Sequence, residues 1–176
     1  MEAYNIKNNK KQYLFWDMDN VLNEFQLMSD NLLKKIGKPL LDINKSSEYL
    51  TDDLKKYKED FWKIVKEQDN FWENLPVNPE GLDLYTLYRN QFHKIFILSS
   101  LPKNKNIFSQ QDIEKIKKQK IEWIFKNIDP DFMEENIILT LEKKENYIVD
   151  DALCVLIDDR EGNIKSWNDN SGWGLA

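Results

Sequence analysis

The sequence contains a single cysteine, a single histidine, five glycines and five prolines in 176 residues, and no window in it approaches a membrane span. Each scarcity excludes something. Cys154 alone cannot form an internal disulfide, and it lies in the apolar run Ala152-Leu153-Cys154-Val155-Leu156-Ile157. A buried core thiol in a reducing cytoplasm is the expectation. His93 opens a strand with no metal-ligand partner beside it, so no role is assigned to it. The low glycine and proline content, with 41% hydrophobic and 32% charged residues, excludes fibrous and disordered classes. What remains is a globular chain long enough for one catalytic unit with a small inserted subdomain. Behind the polar, lysine-bearing segment Met1 to Gln12 there is no apolar stretch of signal-peptide length, so the chain is expected to stay inside the cell, unattached. Basic residues are the minority charge, 25 against 31 acidic, for a net charge of −6. That balance disfavours a general binder of nucleic-acid backbones, and any phosphate handled here should be small and locally held.

The hydrophobic pattern alternates short apolar runs with helical stretches. Tyr13-Leu14-Phe15-Trp16 ends abruptly in Asp17-Met18-Asp19-Asn20, as a buried strand does where it reaches a polar loop. A helical pattern follows from Val21 to about Gly37, where Gly37 and Pro39 supply a stop. A second helix is expected from about Ser47 to Gln68, with Leu54, Tyr57, Phe61, Ile64 and Val65 on its apolar face. Beyond Phe71-Trp72-Glu73-Asn74-Leu75-Pro76, a helix is expected from about Gly81 to Gln91. A strand His93 to Leu98 then breaks into Ser99-Ser100-Leu101-Pro102. A lysine-rich helix from about Gln110 to Asn127, a strand Ile137 to Thr140, a short segment through Tyr147 and a strand Leu153 to Ile157 ending in Asp158-Asp159 complete the series. Strands alternating with helices indicate an α/β fold with a mainly parallel sheet flanked by helices.

In such a sheet the ligand site lies at the carboxyl ends of the strands, so residues that follow different strands converge. Here these are Asp17, Asp19, Ser99, Ser100, Lys143, Asp158 and Asp159. Four converging carboxylates repel one another unless a cation neutralises them, and oxygen-only ligands suit Mg2+. The set suggests phosphoryl transfer through a carboxylate nucleophile. Asp17 would attack, Asp19 would act as acid and then base, Ser99 would donate a hydroxyl to phosphate and Lys143 would supply a fixed positive charge.

Taken singly, each fragment has an ordinary explanation. Two acids in a loop often cap a helix, Asp158-Asp159 could be the N-terminal acids of the next helix, Ser99-Ser100 could be a turn, and Glu142-Lys143-Lys144-Glu145 could be solvated surface. Their common order at the ends of strands of one sheet favours a shared active site.

That series resembles the four motifs of the haloacid-dehalogenase (HAD) superfamily: Asp17-Met18-Asp19-Asn20-Val21-Leu22, then Ile97-Leu98-Ser99-Ser100, then Lys143, then Leu156-Ile157-Asp158-Asp159. Within the superfamily the chain looks most like the 5'(3')-deoxyribonucleotidases, from Phe71-Trp72-Glu73-Asn74-Leu75-Pro76, Ser99-Ser100-x-x-Lys103, Ile138-Leu139-Thr140-x-x-Lys143 and Asp158-Asp159-Arg160 with Asn163-Ile164 and Trp167. The resemblance spans about Tyr13 to Gly174 and is thin between about Gln26 and Gln68. It implies a HAD-like Rossmannoid fold with a catalytic core of residues 1–22 and 75–176, and a small helical cap inserted after the first strand at 23–74. It implies Mg2+ held by the side chains of Asp17 and Asp158 and the backbone carbonyl of Asp19, with Asp159 as a supporting acid. Phosphate would be held by Ser99, Ser100, Lys103 and Lys143. Departures include Asn20 where the family commonly has Gly, a position where Asn tolerates left-handed backbone. Ser99 stands for a common Thr, Leu101-Pro102 replaces a Pro one residue earlier, and any terminal strand is expected to be short or absent.

The expected activity is hydrolysis of a nucleoside monophosphate, with deoxynucleotides favoured by resemblance alone. Phe71 and Trp72 are the candidates for a base-stacking surface, against the alternative that they join cap to core. Trp16 reads as packing. Another small phosphomonoester, a nucleic-acid end phosphate served by the lysines around 115 to 120, and a silent binding module remain as alternatives. Whether the chain forms a homodimer the sequence leaves open.

Overall fold

The computed structural model describes residues 10–40 and 51–176. Five strands form one parallel sheet: β1 (Lys11–Trp16), β2 (Lys94–Ser100), β3 (Ile137–Thr140), β4 (Ala152–Ile157) and β5 (Trp173–Leu175), in the order β3-β2-β1-β4-β5. Among the described residues five α-helices connect them: α1 (Phe25–Lys35), α2 (Asp52–Lys66) and α3 (Pro79–Tyr88) between β1 and β2, α4 (Gln110–Asn127) between β2 and β3, and α5 (Glu161–Asp169) between β4 and β5. A 3-10 turn, Lys144–Tyr147, lies between β3 and β4. The strand order reverses between β1 and β4, so the topological switch point lies where Asp17 and Asp158 leave the sheet.

Side-chain alternation along each central strand divides the core between the two faces. Leu14, Trp16, Ile97 and Val155 join one apolar cluster with Phe25, Leu33, Phe61, Val65, Ile113, Ile116 and Trp123 from α1, α2 and α4. Phe15, Leu98, Cys154 and Leu156 form the other cluster with Trp167 of α5. The expected α/β architecture and buried Cys154 are therefore present, and burial pushes the Cys154 thiol up from its ordinary pKa. Trp16 is fully buried and lies edge-on to Tyr85, a packing role. His93 accepts a hydrogen bond from the Gln12 backbone through Nδ1.

Several boundaries differ from the sequence expectation for local reasons. The first helix starts at Phe25 rather than Val21, because Asn20 has φ of +63° and the chain turns there before helical backbone begins. The second starts at Asp52, capped by the Thr51 hydroxyl; Ser47 lies outside the described residues. The third runs Pro79–Tyr88 because Asn78 caps it through Oδ1 and Pro79 occupies the first turn. Asn78 also donates from Nδ2 to the Val21 carbonyl, and a Cβ on Gly81 would stand 1.8 Å from that same oxygen. Glycine thus allows the start of α3 to press against the loop that carries Asp17 and Asp19. At α4 the Ser109–Asp112 capping box closes both ways, and β5 is three residues long, a short terminal strand as expected.

Candidate active site

The parallel strands deliver their first loop residues to one end of the sheet. Asp17 and Asp158 are buried there, and the Asp17 backbone N–H still donates to the Ile157 carbonyl of β4, which fixes the spacing of the two loops. Lys144 lies between them with its side chain 2% exposed. Its Nζ stands 2.9 Å from Asp17 Oδ2 and 2.6 Å from Asp158 Oδ2. Burial alone would lower the Lys144 pKa, but the carboxylates of Asp17 and Asp158 outweigh it and raise the value above the ordinary one. Asp158 is raised in turn by burial and by the nearby Asp17 charge, against the pull of Lys144.

Lys144, and not the Lys143 expected from the sequence, takes the inward position in the structure. Lys143 has extended backbone (φ −77°, ψ 140°) just before the 3-10 turn, so successive side chains point opposite ways. Its side chain is 77% exposed at the cavity rim, with Nζ 3.6 Å from Glu145. The same alternation separates the two serines of β2. Ser99 is fully buried and accepts a hydrogen bond from Lys120, while Ser100 lines the cavity. Lys103 is exposed on the rim, 3.5 Å from the Glu142 carbonyl.

Asp17, Asp158 and Asp159 each place a carboxylate oxygen within 4.8 Å of the others, a group that could hold a metal ion. The residues fit such an ion chemically. Asp17 and Asp158 share one ammonium, Lys144, so one negative charge of the pair goes unmatched, and Asp159 brings a third carboxylate alongside. An all-oxygen set of this charge suits a hard divalent cation. The Asp19 carboxylate is not in the group: Oδ2 faces Lys120 at 2.6 Å and Oδ1 accepts from Asn23. Asp158 also takes the Arg160 N–H and both hydrogen bonds from Asn163 Nδ2, so the role of the acid at the start of the next helix and that of the site acid coincide in one side chain. Asn20 serves as more than a tolerated left-handed residue. Its Nδ2 donates to Asp159 and its Oδ1 accepts from the Gln26 N–H of α1.

Above the acids is a cavity of about 490 Å³. Phe25, Trp62, Trp72 and Phe108 contribute aromatic wall, and ring contacts Phe25–Trp62 (6.0 Å) and Trp62–Phe108 (6.1 Å) join Phe25, Trp62 and Phe108. Of the two aromatics singled out from sequence, Trp72 reaches the cavity. Phe71 does not; it packs edge-on between Trp72 and Phe25 behind the wall. Trp62 and Phe108 were missed, Trp62 because it lies beside, not on, the apolar stripe of α2.

No family model and no curated protein matches the sequence. Solved structures do match. A HAD-hydrolase, YfnB of Bacillus subtilis, superposes with a TM-score of 0.54 at 13% identity, over 94% of this chain and 86% of that one. A HAD hydrolase of family IA, variant 3, from Entamoeba histolytica gives 0.50 at 13% identity, over 94% and 84%. A haloacid dehalogenase-like hydrolase from Xanthomonas campestris gives 0.50 at 12% identity, over 94% and 82%. At such low identities the likeness concerns the architecture, and the chain has the fold of the HAD hydrolases.

Proposed function

We propose that the chain is a magnesium-dependent phosphomonoesterase that hydrolyses nucleoside monophosphates, with deoxyribonucleotides favoured, through a phosphorylated Asp17. The observation that carries this reading is the buried Asp17–Lys144–Asp158 bridge beside Asp159 at the switch point, under a cavity with aromatic walls. Asp17 and Asp158 would hold Mg2+ through their side chains and Asp19 through its backbone carbonyl, and the ion would neutralise the charge of phosphate oxygens when bound. YfnB is described as bound to magnesium, which supports the choice of ion.

One Asp17 carboxylate oxygen attacks phosphorus, the bond from phosphorus to the ester oxygen breaks, and Asp19 gives that oxygen its proton. Water then attacks the same phosphorus, returns a proton to Asp19, and releases phosphate and the Asp17 carboxylate. Lys144 keeps Asp17 oriented, and the Met18 N–H holds its other oxygen at 2.7 Å. Ser100 on the cavity wall and Lys103 and Lys143 on its rim would meet the phosphate, while Ser99 is buried and accepts a hydrogen bond from Lys120. Helices α1 and α2, from the cap segment expected between β1 and α3, act as the cover over the site, and Trp62 on α2 offers its ring to a base. Such stacking contributes about 1–3 kcal/mol per base.

The test is phosphate release from 5'- and 3'-ribo- and deoxyribonucleoside monophosphates, sugar phosphates and a 3'-phosphorylated oligonucleotide, with magnesium and with chelator. Magnesium-dependent release chiefly from deoxynucleotides, abolished by Asp17→Asn, is the expected result. Release from sugar phosphates or oligonucleotide alone would overturn the substrate. No release, or turnover by Asp17→Asn near the wild-type rate, would overturn the mechanism.

A further inference from the structure

Helix α4 carries a lysine where its core-facing stripe requires an apolar residue. Ile113, Ile116, Lys120 and Trp123 recur at helical spacing on the buried side, and Lys120 is fully buried among them. A buried ammonium persists only when its hydrogens are matched. Lys120 Nζ donates to Asp19 Oδ2 at 2.6 Å, to the Ser99 hydroxyl at 3.0 Å and to the Ser100 carbonyl at 3.4 Å. Its three contacts therefore tie the loop after β1 to the carboxyl end of β2. The other Asp19 oxygen takes only a 3.2 Å amide bond from Asn23, itself fully buried.

We infer that Lys120 is a positioning residue for the proposed hydrolysis: it fixes the Asp19 carboxyl by its Oδ2 and leaves Oδ1 to pass the proton. The assignment rests on the phosphomonoesterase reading and adds to it a group from outside the strand-end loops. It predicts that Lys120 matters only where Asp19 matters. An alkoxide leaving group needs the Asp19 proton, whereas p-nitrophenolate leaves without one.

The experiment compares kcat/KM of wild type, Lys120→Met, Asp19→Asn and the double variant with magnesium, on a nucleoside 5'-monophosphate and on p-nitrophenyl phosphate. Lys120→Met should lose about 100-fold on the nucleotide and less than about tenfold on p-nitrophenyl phosphate. In the Asp19→Asn background it should lose nothing further on the nucleotide. Equal losses on the two substrates, or losses that multiply in the double variant, would overturn the assignment, because a merely structural lysine affects both substrates and both backgrounds alike. Lys120→Gln, which keeps an N–H donor without the charge, carries the same comparison if the methionine variant does not melt cooperatively. Wild type inert to both substrates would refute the phosphomonoesterase reading and this assignment with it. Wild type active with the equal-loss pattern would refute Lys120 alone.

Discussion

Replacing Lys144 with methionine tests the charge balance at the switch point. The lysine side chain and its two partners are 2%, 7% and 0% exposed, so the variant keeps the volume but leaves the Asp17 and Asp158 carboxylates buried against each other. Removing one partner of a buried ion pair costs about 3–5 kcal/mol. In a chain of this length each kcal/mol lowers Tm by about 2–4 °C, so the expected fall is roughly 6–20 °C. Thermal unfolding by far-ultraviolet circular dichroism, run in chelator, reads this directly. Repeating it with magnesium should recover part of the loss, since a cation that binds only the folded state adds about 2.7 kcal/mol at a concentration a hundredfold above its Kd. Lys143→Met is the contrast: its side chain is 77% exposed, and its removal should change stability by no more than about 0.5 kcal/mol. The sign of the pH dependence follows from the raised Lys144 pKa. Its contribution is fully present below the ordinary lysine value of 10.5 and is lost only as pH rises through the higher folded value. A Lys144→Met protein melting within about 2 °C of wild type in chelator, or a Lys143→Met protein falling as far as Lys144→Met, would refute the reasoning.

Gly81→Ala should destabilise by about 1–3 kcal/mol or more, because the added methyl meets the Val21 carbonyl oxygen at 1.8 Å and its carbon at 2.9 Å, both backbone atoms. An unchanged denaturant midpoint would contradict that close approach. Asp112, held by Lys66 and by Ser109, titrates at about 2 instead of 3.8, so its contribution is present above pH 3.8 and is lost as pH falls through about 2. Because the Lys66–Asp112 pair is partly solvated, Asp112→Asn should cost no more than about 1 kcal/mol at pH 7, and the difference from wild type should vanish in acid unfolding near pH 2. Trp62→Ala should raise KM for a nucleotide about 5- to 150-fold while leaving a sugar phosphate unaffected; equal effects on the two would place Trp62 in cap packing alone.

The sheet was legible because strand and loop differ sharply at the places that matter. Tyr13 to Trp16 is apolar and Asp17 is not, and the same edge recurs at Ser99 and Asp158, so the strand-end rule alone brings these residues to one end of the sheet without any knowledge of the cap. The lysine was harder to read. Glu142-Lys143-Lys144-Glu145 offers two candidates one residue apart, and only the backbone torsions of Lys143 decide which points inward. Lys120 left a readable trace that composition hid: the lysines around 115 to 120 read as one basic stretch that could serve a nucleic-acid end phosphate, yet Lys120 falls on the same stripe as Ile113, Ile116 and Trp123. A charged residue at a stripe position is a buried-pair signal, and no partner for it is visible until Asp19, 101 residues away, is placed beside it. The aromatic wall was illegible for a related reason. Which of many rings faces a cavity depends on how α2 packs, and the Phe71-Trp72 pair divides between backing and wall, its two rings edge-on at 5.1 Å.

The two buried lysines divide the acids of the site into sets with different charge balances. Lys120 and Asp19 meet one to one, with Ser99 and the Ser100 carbonyl absorbing the remaining hydrogens of the ammonium. Lys144 instead faces two carboxylates, with Asp159 close by. The excess negative charge therefore lies on the side of Asp17 and Asp158, where a divalent cation would bind most favourably, while the Asp19 carboxyl has its own counter-charge on the side of α4. A cation that also reached the Asp19 carboxylate would have to compete with a 2.6 Å ion pair from a lysine that cannot reach water. The arrangement thus keeps the proposed proton carrier apart from the proposed metal ligands although only one residue separates Asp17 from Asp19, and it does so with a helix that enters the chain a hundred residues later.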